Sequence, residues 1–182
     1  IKRVDINTII RKQNRMFGRT HREITLKTKL VTDVWAVKVD TVQIEQVLLN
    51  LYINAWHAMP RGGDLLIATD NVTLTDDDVL RRSSQLPPGR YVAITVTDSG
   101  CGMDRQTLQK IFDPFFTTKP KGRGTGLGLA TAYAIVKNHG GHISAVSRLG
   151  QGSRFSILLP AHNGKVRPRR PPTRQATPPS GP

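Results

Sequence analysis

Apolar residues recur along this chain with two periods, and the switches between them divide it into elements. In VDINTIIRKQNRMF, Ile6, Ile9, Ile10 and Phe17 fall near helical spacing, with Asp5 or Asn7 placed to cap the first turn. EITLKTKLV alternates Ile24, Leu26 and, less cleanly, Leu30 with polar positions, the period of a half-buried strand. AVKVD reads as its hairpin partner across the turn-like TDVW. From about Thr41 the period lengthens again. Ile44, Val47, Leu48, Leu51 and Ala55 make one face of a long helix that Pro60, Gly62 and Gly63 end.

GDLLIATDNVTL and RYVAITVTDSG read as two further strands, separated by a polar stretch with Asp76, Asp77, Asp78, Arg81 and Arg82. DRQTLQKIF predicts a short helix with Asp104 at its cap. No period holds from Asp113 to Thr125, which predicts a loop. GLGLATAYAIVKNHGG predicts a helix stopped by His139 and Gly140, and GHISAVSRLGQGSRFSILLP predicts a hairpin around LGQG. This order predicts a two-layer α/β sandwich, a mixed and mostly antiparallel sheet with helices on one face. Past Pro160 almost nothing is apolar, so the expected division is a domain over 1–160 and a basic, Pro-rich tail or linker over 161–182.

Composition narrows the class. The chain has 182 residues, room for one domain with a real core, and begins with Ile1 rather than Met, so the expectation is a fragment or processed product. It holds no apolar run long enough for a transmembrane helix, and its single cysteine, Cys101, fits a reducing, cytoplasmic setting. The net charge of +14 raises the question of nucleic acid. Residues 1–40 carry 10 Lys and Arg against 4 acids, residues 41–160 carry 12 against 9, and residues 161–182 carry 5 against none. The excess lies at the ends, and no basic stripe interleaved with aromatics crosses the middle, so a nucleic-acid partner is not expected.

Three stretches carry candidate chemistry. In KGRGTGLGLA, glycines alternate at 122, 124, 126 and 128 ahead of a helix. A dinucleotide fingerprint needs a strand just before it, which Pro114 and Pro120 forbid, and the P-loop string is absent. What is left is either a flexible surface loop or a mobile loop at a helix N-terminus, where free N–H groups and Lys119, Lys121 and Arg123 would attract phosphate. In VTDSGCGM, Asp98 ends an apolar strand before Gly100 and Gly102. It forms either an Asx-type turn or an acceptor for the exocyclic amine of adenine, with the glycines admitting a flat base. In QIEQVLLNLYINAWHAM, Asn50 and Asn54 share one helix face, either a solvated stripe or amides suited to Mg²⁺. His139 and His142 flank a glycine helix stop and do not read as a metal site.

Taken in order, NLYINAWHAM, DSGCGM, FDPFFTTK and GTGLGLA resemble the N, G1, F and G2 boxes of the ATP-binding catalytic domain of sensor histidine kinases, closest to the nitrogen-regulation type. The resemblance covers roughly residues 4–160. It implies the Bergerat fold, shared with gyrase B subunits, mismatch-repair ATPases and a heat-shock chaperone. It implies ATP and Mg²⁺, with Asn54 on the metal, Asn50 beside the phosphates, Asp98 on the adenine amine, and Gly100 and Gly102 shaping the base pocket. Residues 112–125 would be an ATP lid anchored by Phe112, Phe115 and Phe116. Lys119 and Arg123 would reach phosphate, with Gly124, Thr125, Gly126, Leu127 and Gly128 completing the site.

ATPase relatives carry a Glu four residues before the metal asparagine, as base for water. Here that position is Asn50, which cannot take a proton, and Glu45 lies off that face. A neutral histidine needs no such base, so the resemblance favours transfer to a histidine. No acceptor histidine is expected within the chain, since His21 precedes Arg22 beside a strand. The implied partners are a histidine-bearing dimerisation domain and, indirectly, a response regulator receiver domain, with no direct membrane contact. The alternative is a nucleotide-gated binding module or an ATPase without histidine transfer. Trp56 and His57 depart from the charged pair common at this place in the family, and His57 is either a donor to phosphate or, the reading preferred, a surface residue of the helix.

Overall fold

The computed structural model describes residues 1–78 and 86–162. Arg81 and Arg82, and all of the expected tail but Ala161 and His162, lie outside them. The elements run β1 (Lys2–Val4), α1 (Ile6–Thr20), β2 (Ile24–Leu30), β3 (Val37–Val39), α2 (Thr41–Ala58), β4 (Gly63–Leu74) and β5 (Gly89–Asp98). There follow α3 (Arg105–Lys110), α4 (Gly128–Asn138), β6 (His142–Arg148) and β7 (Gly152–Pro160). The helix starts follow from their caps. Asp5 accepts from Asn7 N–H, Asp40 from Val42 and Gln43, and Asp104 from Thr107, each satisfying a donor that the first helical turn leaves open.

Five strands form one sheet in the order β2-β4-β5-β7-β6, with β2 and β4 parallel and the other pairs antiparallel. Alternation sets its faces. Leu65 and Ile67 of β4, Val92, Ile94 and Val96 of β5, and Phe155, Ile157 and Leu159 of β7 are all buried. Ile6, Ile9 and Ile10 of α1, Ile44, Leu48 and Leu51 of α2, and Ala132 and Val136 of α4 join them in one core. Truncating one of these leucines or isoleucines to Ala costs about 2–5 kcal/mol, so this layer holds the domain together. The expected two-layer sandwich, helices over a mixed and mostly antiparallel sheet, is the observed fold.

One expected pairing is wrong. β3 does not return along β2; it pairs antiparallel with β1, while β2 lies parallel to β4 with Ile24 opposite Gly63. The side chain of Asn71 explains the departure. Its Oδ1 accepts from Trp35 N–H at 2.9 Å and its Nδ2 donates to Asp33 O at 2.8 Å, so β4 leads the TDVW segment away from β2. A buried chain of bonds closes the same corner: Asn7 Nδ2 donates to Val31 O, Val31 N–H to Thr69 Oγ1, and Thr69 Oγ1 to Asn7 Oδ1. Beyond β7, Ala161 bridges Val37, and His162 N–H donates to Ala36 O.

Candidate functional site

Strand periodicity delivers the first site residue. Asp98 stands two places beyond Val96 on β5, hence on the helix-covered face, and is only 6 % exposed. Burial raises its carboxyl pKa, against the lowering effect of hydrogen bonds from the Gly100 and Ser153 N–H groups. Ser153 is its cross-strand partner on β7, on the same face. A buried carboxylate at a strand end is an acceptor held in place before any ligand arrives.

The DSGCGM segment is wedged between two neighbours. Cys101 N–H donates to Ala58 O at the end of α2, and Cys101 O accepts from Gly150 N–H in the β6–β7 turn. Gly102 has φ +67°, and a Cβ there would stand 1.9 Å from Arg148 O. Gly102→Ala would combine left-handed backbone with a backbone collision. Its expected cost is roughly 2–4 kcal/mol, read as a lower midpoint in urea with an unchanged m-value.

α2 supplies the amides. Asn50 and Asn54 both line a cavity of about 480 Å³, together with Asp98, Gly102, Lys119, Arg123, Gly124, Thr125, Gly126 and Gly128. The two asparagines thus face a concavity and not bulk solvent. Asn50 Nδ2 donates to Gly128 O at 2.9 Å, tying the middle of α2 to the first residue of α4. No described residue hydrogen-bonds the Asn54 side chain. Its amide oxygen is a hard, neutral donor, suited to a Mg²⁺ that takes its other ligands from phosphate and water. Among the described residues no cluster of three His, Cys, Asp or Glu offers an all-protein metal cage.

The lid folds back on α4. Phe115 N–H donates to Gly126 O at 2.9 Å, and Phe115 itself has φ +65° with its side chain 75 % exposed. Gly126 has φ +67°, and a Cβ on it would stand 2.4 Å from the Phe115 carbonyl carbon. Its need for glycine is set by this packing. Phe112 and Phe116 pack on the core, Phe112 with its ring 5.5 Å from Tyr133. α4 begins at Gly128 after Leu127, which offers no side-chain cap. Its first N–H groups therefore lack a side-chain acceptor beside the cavity, the arrangement that attracts anions.

Most of the expected site residues thus meet at one cavity. Gly100, Phe112 and Leu127 border it without lining it, and Lys119 rests not on open space but on His57. Sequence reading missed Ser153 and Thr107; His57 is exposed, as expected, and also lines the cavity. Ser153 carried a signal, a polar residue in register with Phe155 and Ile157 on the core face of β7. His139, by contrast, accepts from Asp40 N–H and reaches Ile135 O, a structural role.

The profile of the histidine kinase-, DNA gyrase B- and HSP90-like ATPase family matches residues 39–163. The chain is 45% identical over 139 residues to the sensor kinase CckA of Brucella abortus (strain 2308), covering 76% of this chain and 15% of that protein. It is 37% identical over 164 residues to the sensor histidine kinase ZraS of Escherichia coli (strain K12), covering 89% of this chain and 31% of that one. It thus spans a third or less of either relative's length. Among solved structures, the catalytic domain of histidine kinase ThkA superposes with a TM-score of 0.70 at 30% identity, covering 88% of this chain and 95% of that one. ThkA has also been solved in complex with the response regulator protein TrrA, at a TM-score of 0.67 and 27% identity, with 88% of this chain and 42% of that one covered. By fold, site geometry and sequence, this chain belongs to the histidine kinase-, DNA gyrase B- and HSP90-like ATPase family, with sensor histidine kinases as its homologues.

Proposed function

We propose that this chain binds ATP with Mg²⁺ and donates the γ-phosphoryl group to a histidine on a separate dimerisation domain, in two-component signal transduction. One observation carries the reading: Asp98, the Asn50 and Asn54 pair of α2, and the start of α4 come from three places in the sequence and open onto one cavity. Asp98 would accept from the adenine amine, and the N–H groups of α4 with Lys119 and Arg123 would receive the phosphates. Asn54 would hold Mg²⁺, which supplies charge neutralisation at the phosphates. In the transfer the γ-phosphorus would leave the ADP oxygen for the unprotonated nitrogen of the acceptor imidazole, and the proton on the other ring nitrogen would pass to the acceptor domain or to water. Positioning and charge supply most of the rate.

A water-activating base is missing from this cavity's helix. Asn50 is already a donor to Gly128 O, and Glu45 is drawn the other way into an ion pair with Lys12 at 2.6 Å. This favours transfer to a nucleophilic imidazole over ATP hydrolysis. The receiver domain of a response regulator would take the group in the following step, as a partner of the phosphorylated domain and not of this chain. No helix among the described residues is long and apolar enough to cross a membrane. We place the domain in the cytoplasm, within a parent that is membrane-anchored or free.

Calorimetric titration with ATP and GTP, each with and without Mg²⁺, tests the first half. ATP should bind without metal, GTP at least about tenfold more weakly, and Mg²⁺ should strengthen the binding of ATP. Incubation with γ-labelled ATP tests the second half. The chain alone should take no label, and adding the parent's histidine-bearing domain should yield acid-labile phosphohistidine. Release of free phosphate with that domain unlabelled would overturn the transfer reading.

A further inference from the structure

One side-chain contact ties the lid to an exposed cavity-lining residue of α2. Lys119 Nζ lies 2.7 Å from His57 Nδ1. An ammonium has only N–H groups to give, so Nδ1 is the acceptor and the imidazole is neutral, with its proton on Nε2. Burial, then Lys119, then His21 all hold the His57 pKa below its ordinary value, in keeping with that form.

Both partners are held from behind. His57 ends a stack of rings, 4.8 Å from Trp56, which lies 4.4 Å from His21, itself 4.3 Å from Phe17 in the core. Trp56 Nε1 donates to Glu23 Oε1 at 2.6 Å, which fixes the middle of the stack. On the lid, Lys119 N–H donates to Thr117 Oγ1 at 3.1 Å. The lysine stem runs beside Gly124, where a Cβ would come within 3.0 Å of Lys119 Cδ. The imidazole is thus anchored to the rigid layer, and the ammonium belongs to the glycine-rich lid.

We propose that His57 is a positioning residue for the lid: its Nδ1 holds the Lys119 ammonium at the cavity beside Asn54, and a phosphate oxygen of the nucleotide takes that ammonium over. The direction of exchange follows from charge, because an anionic oxygen adds a Coulomb attraction to the ammonium that a neutral imidazole nitrogen lacks. The latch rests on the contact alone; the handover rests on the ATP reading above. Trp56 and His57 thereby acquire a joint role, one bracing the other.

The test uses the full 182-residue chain with His57→Phe, which keeps a ring against Trp56 but no acceptor, His57→Gln, which keeps an acceptor, and Lys119→Met. Amide hydrogen exchange over residues 117–124 should speed up about tenfold in His57→Phe and in Lys119→Met, no further in the double variant, and hardly at all in His57→Gln. Additive effects, or unchanged exchange in His57→Phe, would overturn the latch. Nitrogen-15 NMR of the His57 ring tests the handover: ATP with Mg²⁺ should move Nδ1 in the direction that Lys119→Met moves it alone. ATP that binds without moving Nδ1 overturns the handover, while absence of ATP binding overturns the functional reading and leaves lid exchange to judge the latch.

Discussion

Asp98→Asn should lower ATP affinity by about a hundredfold while leaving the domain folded and somewhat more stable. The carboxylate is the buried acceptor to which we assign the adenine amine, and a hydrogen bond to a charged group contributes roughly 1.5–3 kcal/mol. The amide that replaces it would keep Oδ1 on Gly100 N–H, a bond of 2.8 Å in the structure, and turn an NH₂ group toward the base. Two donors would then face each other at adenine, whereas guanine offers an oxygen at that position. The preference for ATP over GTP should therefore shrink more than overall affinity does. Calorimetry with both nucleotides reads this directly, and unchanged ATP affinity would sink the assignment.

The stability half of that prediction has a definite pH signature. The folded state raises the Asp98 pKa above its ordinary 3.8, so folding favours the protonated acid and the charged form is the destabilised one. Below 3.8 the group costs nothing, and its penalty grows as pH rises from there through the raised folded value. Removing the charge should thus raise the melting temperature at neutral pH, with the gain vanishing in acid. In the wild type, ATP affinity should fall as pH drops into the same window, because protonated Asp98 loses its charge. A wild-type affinity flat across that window would contradict the carboxylate's role.

Asn54→Ala should have the complementary effect. ATP would still bind through Asp98 and the start of α4, but the gain from Mg²⁺ would disappear and transfer to the acceptor histidine would fall on the order of a hundred- to a thousandfold. Asn54→Asp keeps an oxygen donor and should recover part of the metal dependence. The side chain has no hydrogen-bond partner among the described residues, so the fold should tolerate the change, which a matching urea midpoint would verify. Asn50→Ala provides the contrast, since it breaks the bond to Gly128 O and should loosen the joint between α2 and α4. A metal dependence surviving in Asn54→Ala would remove Asn54 from the metal.

Much of this architecture was legible where a period is long and a boundary is chemical. α2 shows five apolar residues at helical spacing with Asp40 before it, β4 alternates over Asp64–Asp70 and β5 over Val92–Asp98, and the glycine pair after His139 stops α4. The misread hairpin has the opposite character. β1 and β3 are three residues each, too short for a period, and the parallel register of β2 is with a strand on the far side of α2. Parallel pairing needs a crossover, and nothing local announces which strand is waiting at its end. Asp98 and the asparagines were legible as types at their spacing. The hold of His57 on Lys119 joins residues 62 apart through a loop without periodicity, which no local pattern encodes.

The small sheet formed by β1 and β3, with Ala161 joining at Val37, also bears on how this domain moves. Val37 faces Val4 on one side and Ala161 on the other, so Val4 and Ala161 lie within about two strand spacings, roughly 10 Å, of each other. The first strand and the end of the last thus meet at one corner. β7 runs from Ser153 at the cavity to Pro160 at that corner, a lever arm of about 23 Å. A swing of about 20° at the pivot would sweep the nucleotide end through about 8 Å with every core contact intact. On the function we propose, rotation about this corner would carry the nucleotide end toward an acceptor as a rigid body, with reach set at the corner and chemistry by the cavity.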